Sequence, residues 1–270
     1  MVSSGSLIAM AVNALLGFAV PVCLSVYLVR KHRARLSTIL IGAGTFFLFA
    51  LVLESIMHQL VLKGPHGAAI LDNPLLYAIY GGLAAGVFEE TGRFLSMKFL
   101  MKKEPSEPLP GIAYGVGHGG MEMLMIFGVT MIGNLVLSAM INAGQTDVLF
   151  ASAPEDAAAQ LQTQLDQLQA LGAGTLLLGL WERFSALVLH VGLSLLVWAA
   201  VRKGGQWLWL FPAAIVLHAA VDAGVVLLQK SVGLVPLELI VTVEALAVVA
   251  LGCLAARALR MSGAEGTLSR

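Results

Sequence analysis

Residues 85–95 read AGVFEETGRFL, from Ala85 to Leu95. The chain on either side is almost purely apolar: LLYAIYGGLA (75–84) precedes the stretch and SMKFL (96–100), with Lys98 its one charge, follows it. Glu89, Glu90 and Arg93 therefore fall in the middle of a run of the length, about 20 residues, that crosses a bilayer as a helix. A charge at mid-bilayer costs roughly 2.5–3.5 kcal/mol on insertion scales, so it persists only where it is paired or faces a polar cavity. Three together imply a helix whose charged face turns into a bundle.

The rest of the chain agrees. Of 270 residues, 58% are hydrophobic and 12% charged, and mean hydropathy is +0.87. Soluble domains carry about 25% charged residues. The fold class expected is all-α, a polytopic membrane helix bundle of about seven spans. By length and apolarity these lie near 6–29, 38–62, 75–101, 110–142, 171–201, 206–229 and 234–259. The fourth is overlong and is expected to tilt, or to break near Gly128 or Gly133. No linker is long enough to separate a second domain, so residues 1–270 read as one transmembrane domain. Formal net charge is zero, which gives no electrostatic case for nucleic acid. Cys23 and Cys253 form no CxxC motif and read as small buried hydrophobes.

Loop charges set an orientation. Arg30, Lys31, Arg33, Arg35, Lys98, Lys102, Lys103, Arg202, Lys203, Arg257, Arg260 and Arg270 fall on one side; Lys63 and Lys230 fall on the other. The positive-inside rule puts the first set in the cytoplasm, the N-terminus outside and the C-terminus inside. Between the fourth and fifth spans, residues 143–170 carry Asp147, Glu155, Asp156 and Asp166 and no Lys or Arg. Leu161, Leu165, Leu168 and Leu171 recur there at helical spacing, which predicts an external amphipathic helix. SAPED (152–156) reads as its start, with Ser152 as the cap.

Other ionisable residues lie inside the predicted spans: Glu54, His58, His118, Glu122, Glu182, Arg183, His190, His218, Asp222, Glu238 and Glu244. Glu89 and Arg93, His118 and Glu122, and His218 and Asp222 are each four apart, hence on one helix face. Counted from the predicted cytoplasmic ends at 1.5 Å per residue, Glu89, His118, His190 and His218 all fall roughly 12–18 Å deep. Four helices thus bring a carboxylate and three imidazoles to one level. Glu54 and His58, farther out, read as structural or cavity-lining. No partner suggests itself for Glu238 or Glu244.

Carboxylates and imidazoles at one buried site suit water activation for hydrolysis, metal ligation, or proton relay. In hydrolysis a glutamate takes the proton from water, and histidines hold that water and stabilise the oxyanion. A helical HxxxE places two metal donors on one face. A proton-coupled transporter or channel uses the same residue types.

Four segments carry a resemblance to a known family. FEETGR (Phe88–Arg93) resembles a double-glutamate motif, and GVGHGGME (Gly115–Glu122) a glycine-rich histidine segment. ERFSALVLH (Glu182–His190) is similar to a second-motif histidine segment, and HAAVD (His218–Asp222) to a third motif. Together they resemble the YhfC-type intramembrane proteases, related to the CAAX-protease and bacteriocin-processing group of glutamic membrane proteases. The resemblance implies an intramembrane endopeptidase acting on membrane-embedded or membrane-associated peptides and proteins. It implies Glu89 as general base acting with His190 on the water, His218 and Asp222 as the oxyanion side, and Glu90 and Arg93 as a supporting pair. His118, Glu122, Glu182 and Arg183 are further supporting candidates. Only Thr91 and Gly92 separate the glutamate pair from Arg93, where the wider group places three residues. The third motif ends in Asp222, which, ionised, would repel an oxyanion. The carboxylate-plus-histidine set activates water unaided, so no metal is expected; a zinc-dependent protease is the alternative.

Overall fold

Asn73-Pro74 starts the helix that holds the opening motif. The Asn73 side chain accepts from the Leu75 and Leu76 amides at 3.0 and 3.2 Å, and Pro74 takes the first helical position. Both are standard helix-start devices, since they satisfy or remove amides that have no intrahelical acceptor. The computed structural model describes residues 1–152, 154 and 157–268, with side chains through Leu259 other than that of Ser152. The elements are α1 (Ser4–His32), α2 (Leu36–Phe46), α3 (Ser55–Leu62), α4 (Gly67–Leu71), α5 (Pro74–Phe99) and α6 (Pro108–Glu122). They continue with α7 (Thr130–Asn142), α8 (Asp147–Ser152), α9 (Ala158–Ala170), α10 (Ala173–Lys203), α11 (Leu210–Leu228) and α12 (Leu234–Leu268). Among the described residues there is no strand.

Among the described residues six helical stretches are long and apolar enough to cross a membrane: Ser4–His32, Leu36–Leu62, Pro108–Asn142, Ala173–Lys203, Gly205–Leu228 and Leu234–Leu259. The 26-residue α5 has the length but carries Glu89, Glu90, Arg93 and Lys98. The protein is an all-helical, multi-pass membrane bundle. Two stretches run through π-helical turns, Phe47–Glu54 between α2 and α3 and Met123–Val129 between α6 and α7. The overlong fourth span does not break at Gly128 or Gly133; the π turns carry the helix on after Glu122.

The chain forms two units, Met1–Val20 with Met123–Arg183, and Pro21–Glu122 with Phe184–Arg270. The first packs around Met10, Met123, Phe127 and Leu176. Inside it the Asn13 amide donates to the Leu176 carbonyl at 2.7 Å, a buried polar tie between α1 and α10. In α9, Leu165 and Leu168 are buried and the glutamine-rich remainder faces out. Helix α9 starts at Ala158, and Ser152 ends α8. The Ser152 side chain, Glu155 and Asp156, read from sequence as a helix start, lie outside the described residues, as do the side chains of Arg260 and Arg270.

The second unit is built on close helix contacts. Its apolar core centres on Trp198, Leu193, Met97 and Tyr114. Trp198 donates its indole N–H to the Glu107 carbonyl at 2.8 Å, anchoring α10 ahead of α6. Glycines set the approach distances. A methyl at Gly82 or Gly86 of α5 would run into the Ala219 and Ile215 carbonyls of α11. One at Gly42 of α2 would strike the Tyr114 carbonyl of α6. Without a hydrophobic drive in lipid, small residues that admit close backbone contact are what pack such helices. Gly81 meets nothing within 4 Å and has no packing role of this kind. Cys23 and Cys253 are exposed, contrary to the expectation of burial. In a bilayer the outer surface is itself apolar, so an apolar run does not imply an interior position.

Candidate functional site

The glycine-rich face of α6 brings the histidines together. A methyl at Gly115 would lie 2.7 Å from the Val191 Cα of α10, and one at Gly119 would lie 3.0 Å from the His190 Cβ. With α10 this near, the His118 and His190 rings stand 4.9 Å apart, centroid to centroid. The Gly82 and Gly86 contacts do the same for α5 and α11. There His218 Nδ1 lies 2.9 Å from Glu90 Oε1. The His190 and His218 rings are 5.3 Å apart and edge-to-face.

All of these side chains belong to the second unit. Glu89 Oε2 is 2.8 Å from His118 Nε2 and 4.0 Å from His190 Nδ1. His190 Nε2 is 2.7 Å from Glu122 Oε2. Arg93 pairs with Glu90 through Nη1, and its Nη2 lies 3.0 Å from His190 Nδ1. A guanidinium only donates, so Nδ1 of His190 is the acceptor and its proton sits on Nε2, toward Glu122. His218 Nε2 faces Asp222 Oδ2 at 3.5 Å, and Asp222, at 38% side-chain exposure, is the open edge of the group. Glu90 and Arg93 are completely buried.

Three buried atoms of this group have no hydrogen-bond partner: Glu90 Oε2, Arg93 Nε and His118 Nδ1. Three buried carboxylates (Glu89, Glu90 and Glu122) and the half-exposed Asp222 share one arginine and three imidazoles. Buried carboxylates in excess of fixed cations are unfavourable without protons, on them or on the imidazoles, or a metal cation to offset them. One oxygen of Glu89 and one nitrogen each of His118 and His190 lie within 4.8 Å of one another, all three residues buried. One carboxylate and two imidazoles are a known ligand set for catalytic zinc. The set fits a divalent cation by chemistry, and its one competitor is Arg93, which takes the His190 Nδ1 lone pair.

A sequence profile of the family described as YhfC intramembrane metalloprotease matches residues 16–246. The chain belongs to the YhfC family. It is 37% identical over 233 residues to the membrane protein YhfC of Bacillus subtilis (strain 168), described as uncharacterized. That alignment covers 86% of this chain and 88% of the Bacillus protein. No solved structure matches. The family description names a metalloprotease, and a Glu/His/His set is present, so the expectation that no cofactor is involved is not supported.

In this YhfC family member the sequence-predicted residues separate into groups. Glu89, Glu90, Arg93, His118, Glu122, His190, His218 and Asp222 form one connected network, joined at His190 Nδ1 by Arg93 and Glu89. Glu182 and Arg183 belong to the first unit, where they pair with one another. Glu54 and His58 form a second polar group with Tyr80: His58 Nε2 is 3.1 Å from Glu54 Oε1 and its Nδ1 is 2.8 Å from the Tyr80 hydroxyl. Sequence reading missed the aromatic walls of His118, namely Phe46 at 5.2 Å and Tyr114 at 6.0 Å between centroids. Tyr114 was within reach, since it sits four residues before His118 on the same helix face. Phe46 comes from another helix and carries no local signal.

Proposed function

We propose that this YhfC family member is an intramembrane endopeptidase that hydrolyses peptide bonds of membrane-embedded or membrane-associated substrates, with Glu89, His118 and His190 holding one zinc ion. The observation that carries the proposal is the convergence of those three donors, from α5, α6 and α10, within 4.8 Å in a buried interior. Bound there, zinc would supply Lewis-acid polarisation of the scissile carbonyl and would lower the pKa of a bound water toward neutral pH. Glu122 holds the His190 ring and fixes its tautomer, as carboxylates behind ligating histidines do. Arg93, clamped by Glu90, keeps a fixed positive charge beside the reacting groups. His218, braced by Glu90 and Asp222, is the proton carrier for the leaving amine. Asp222 acts on the ring of His218 and not on an oxyanion, which an ionised carboxylate would repel. The lysine and arginine distribution supports an N-terminus outside and a C-terminus in the cytoplasm, and the Bacillus relative supports a bacterial cytoplasmic membrane.

A metal-free reading has its own support. Glu89 and His118 are in direct contact, and Arg93 already occupies His190 Nδ1. In that reading Glu89 takes the proton from water. One experiment separates the two: metal content of the purified protein, together with cleavage of a transmembrane reporter peptide before and after chelation. The zinc reading expects about one equivalent of zinc, and activity lost on chelation and restored by zinc. Full activity in metal-free protein sinks it and leaves the glutamate base. Absence of cleavage alongside pH-driven flux in liposomes sinks the protease altogether in favour of a proton-coupled transporter.

A further inference from the structure

A slot of about 380 Å³ lies between α2, with the π turns that follow it, and α5. Ile41, Gly44 and Leu48 form one wall at i, i+3 and i+7; Leu95 and Phe99 form the other at i and i+4. Gly44 opens it, because a methyl there would meet nothing within 4 Å. At the inner end the Phe49 ring lies against Gly92. Thr45 and Ser96 line the floor but turn their hydroxyls to each other at 2.8 Å, and Ser96 also meets the Tyr114 hydroxyl at 3.2 Å. The hydroxyls are thus satisfied internally and leave an apolar surface. The volume is within the range of about 300–1,000 Å³ that holds small ligands.

The mouth has the opposite character. Phe99 lines the slot where α5 ends. Lys98 Nζ lies 5.3 Å from the Phe94 ring centroid and 5.7 Å from that of Phe99, and Lys102 Nζ lies 5.5 Å from Phe99. Both lysines are exposed. An apolar slot with two ammonium groups beside its Phe99 wall is complementary to an amphiphile with an apolar tail and an anionic head. Lysines next to a membrane span attract anionic lipid, and a neutral headgroup gives them no net charge to meet. We infer that this slot binds one acyl chain of an anionic phospholipid, with its phosphate on Lys98 and Lys102. The inference does not rest on the protease reading.

The test uses the full chain in nanodiscs with photoactivatable phosphatidylglycerol or phosphatidylcholine, the diazirine in the acyl chain. The phosphatidylglycerol probe is expected to label residues 41–49 or 92–100, roughly tenfold more than the phosphatidylcholine probe, given two lysines at the headgroup. Gly44→Leu, which fills open space, should cut that labelling several-fold at an unchanged melting temperature. Lys98→Gln with Lys102→Gln, both exposed, should bring phosphatidylglycerol labelling down to the phosphatidylcholine level. Equal labelling by the two lipids in the wild type overturns the inference. So does labelling confined to other segments, or labelling that the double lysine variant leaves unchanged.

Discussion

His118–Glu122 on α6 and His218–Asp222 on α11 share one spacing and end differently. On α11 the histidine keeps its own i+4 carboxylate, at 3.5 Å on the half-exposed edge of the site, while its other nitrogen takes Glu90 from α5 at 2.9 Å. On α6 the pair separates: His118 takes Glu89 from α5 at 2.8 Å, and Glu122 takes His190 from α10 at 2.7 Å. The spacing fixed a common face in both cases. Which partner each group met was set by how near the neighbouring helices came. Gly115 and Gly119 let α10 close on α6, so two imidazoles compete for carboxylates there, and cross-helix contacts win. The α5 stripe teaches the same thing, since Arg93 pairs with Glu90 at i+3 and reaches His190 instead of closing on Glu89.

The comparison can be broken most directly at the α6 side. Glu89→Gln, His118→Ala and His190→Ala should each lower cleavage of a reporter peptide by about 10²–10⁴-fold, the span for positioned acid–base groups. In the zinc reading they also reduce bound metal, measured on the same preparations. Glu90→Ala leaves Arg93 buried without its carboxylate and should cost about 3–5 kcal/mol of stability, read by thermal unfolding in detergent. Wild-type stability in that variant would mean the buried pair does not form. Glu122→Gln, acting behind His190, should lower activity or metal affinity about 10–100-fold. Asp222→Asn, at the open edge, should cost less than Glu122→Gln in the same assay. The reverse ranking would show that the i+4 pair on α11, not the cross-helix pair on α6, governs the site. At the small end, Gly117→Ala drives a methyl into the Ile39 carbonyl and should destabilise by about 1–3 kcal/mol. Gly81→Ala, with open space around it, should stay within about 0.5 kcal/mol.

A second polar group sharpens the contrast. Glu54, His58 and Tyr80 also lie inside apolar helices, yet His58 has a partner on each ring nitrogen. The α5–α6–α10–α11 group leaves Glu90 Oε2, Arg93 Nε and His118 Nδ1 without one. A satisfied group holds helices together; an unsatisfied one has capacity left for a cation, water or substrate.

The sequence by itself determined the class of the molecule and which helices carry its polar residues. Span length and apolarity are local properties, and so is the helical face on which Glu89, His118, His190 or His218 sits. The family resemblance was also carried by short local motifs. Sequence could not decide that His118 would answer to Glu89, or that Glu122 would stand behind His190. It could not decide that Glu182 and Arg183 would pair with one another, or that Phe46 would wall the site. Those outcomes depend on interhelix distances of a few ångströms, set where glycines on one helix meet a backbone on the next. Such meetings pair residues distant in the chain, and no periodicity within one helix records them.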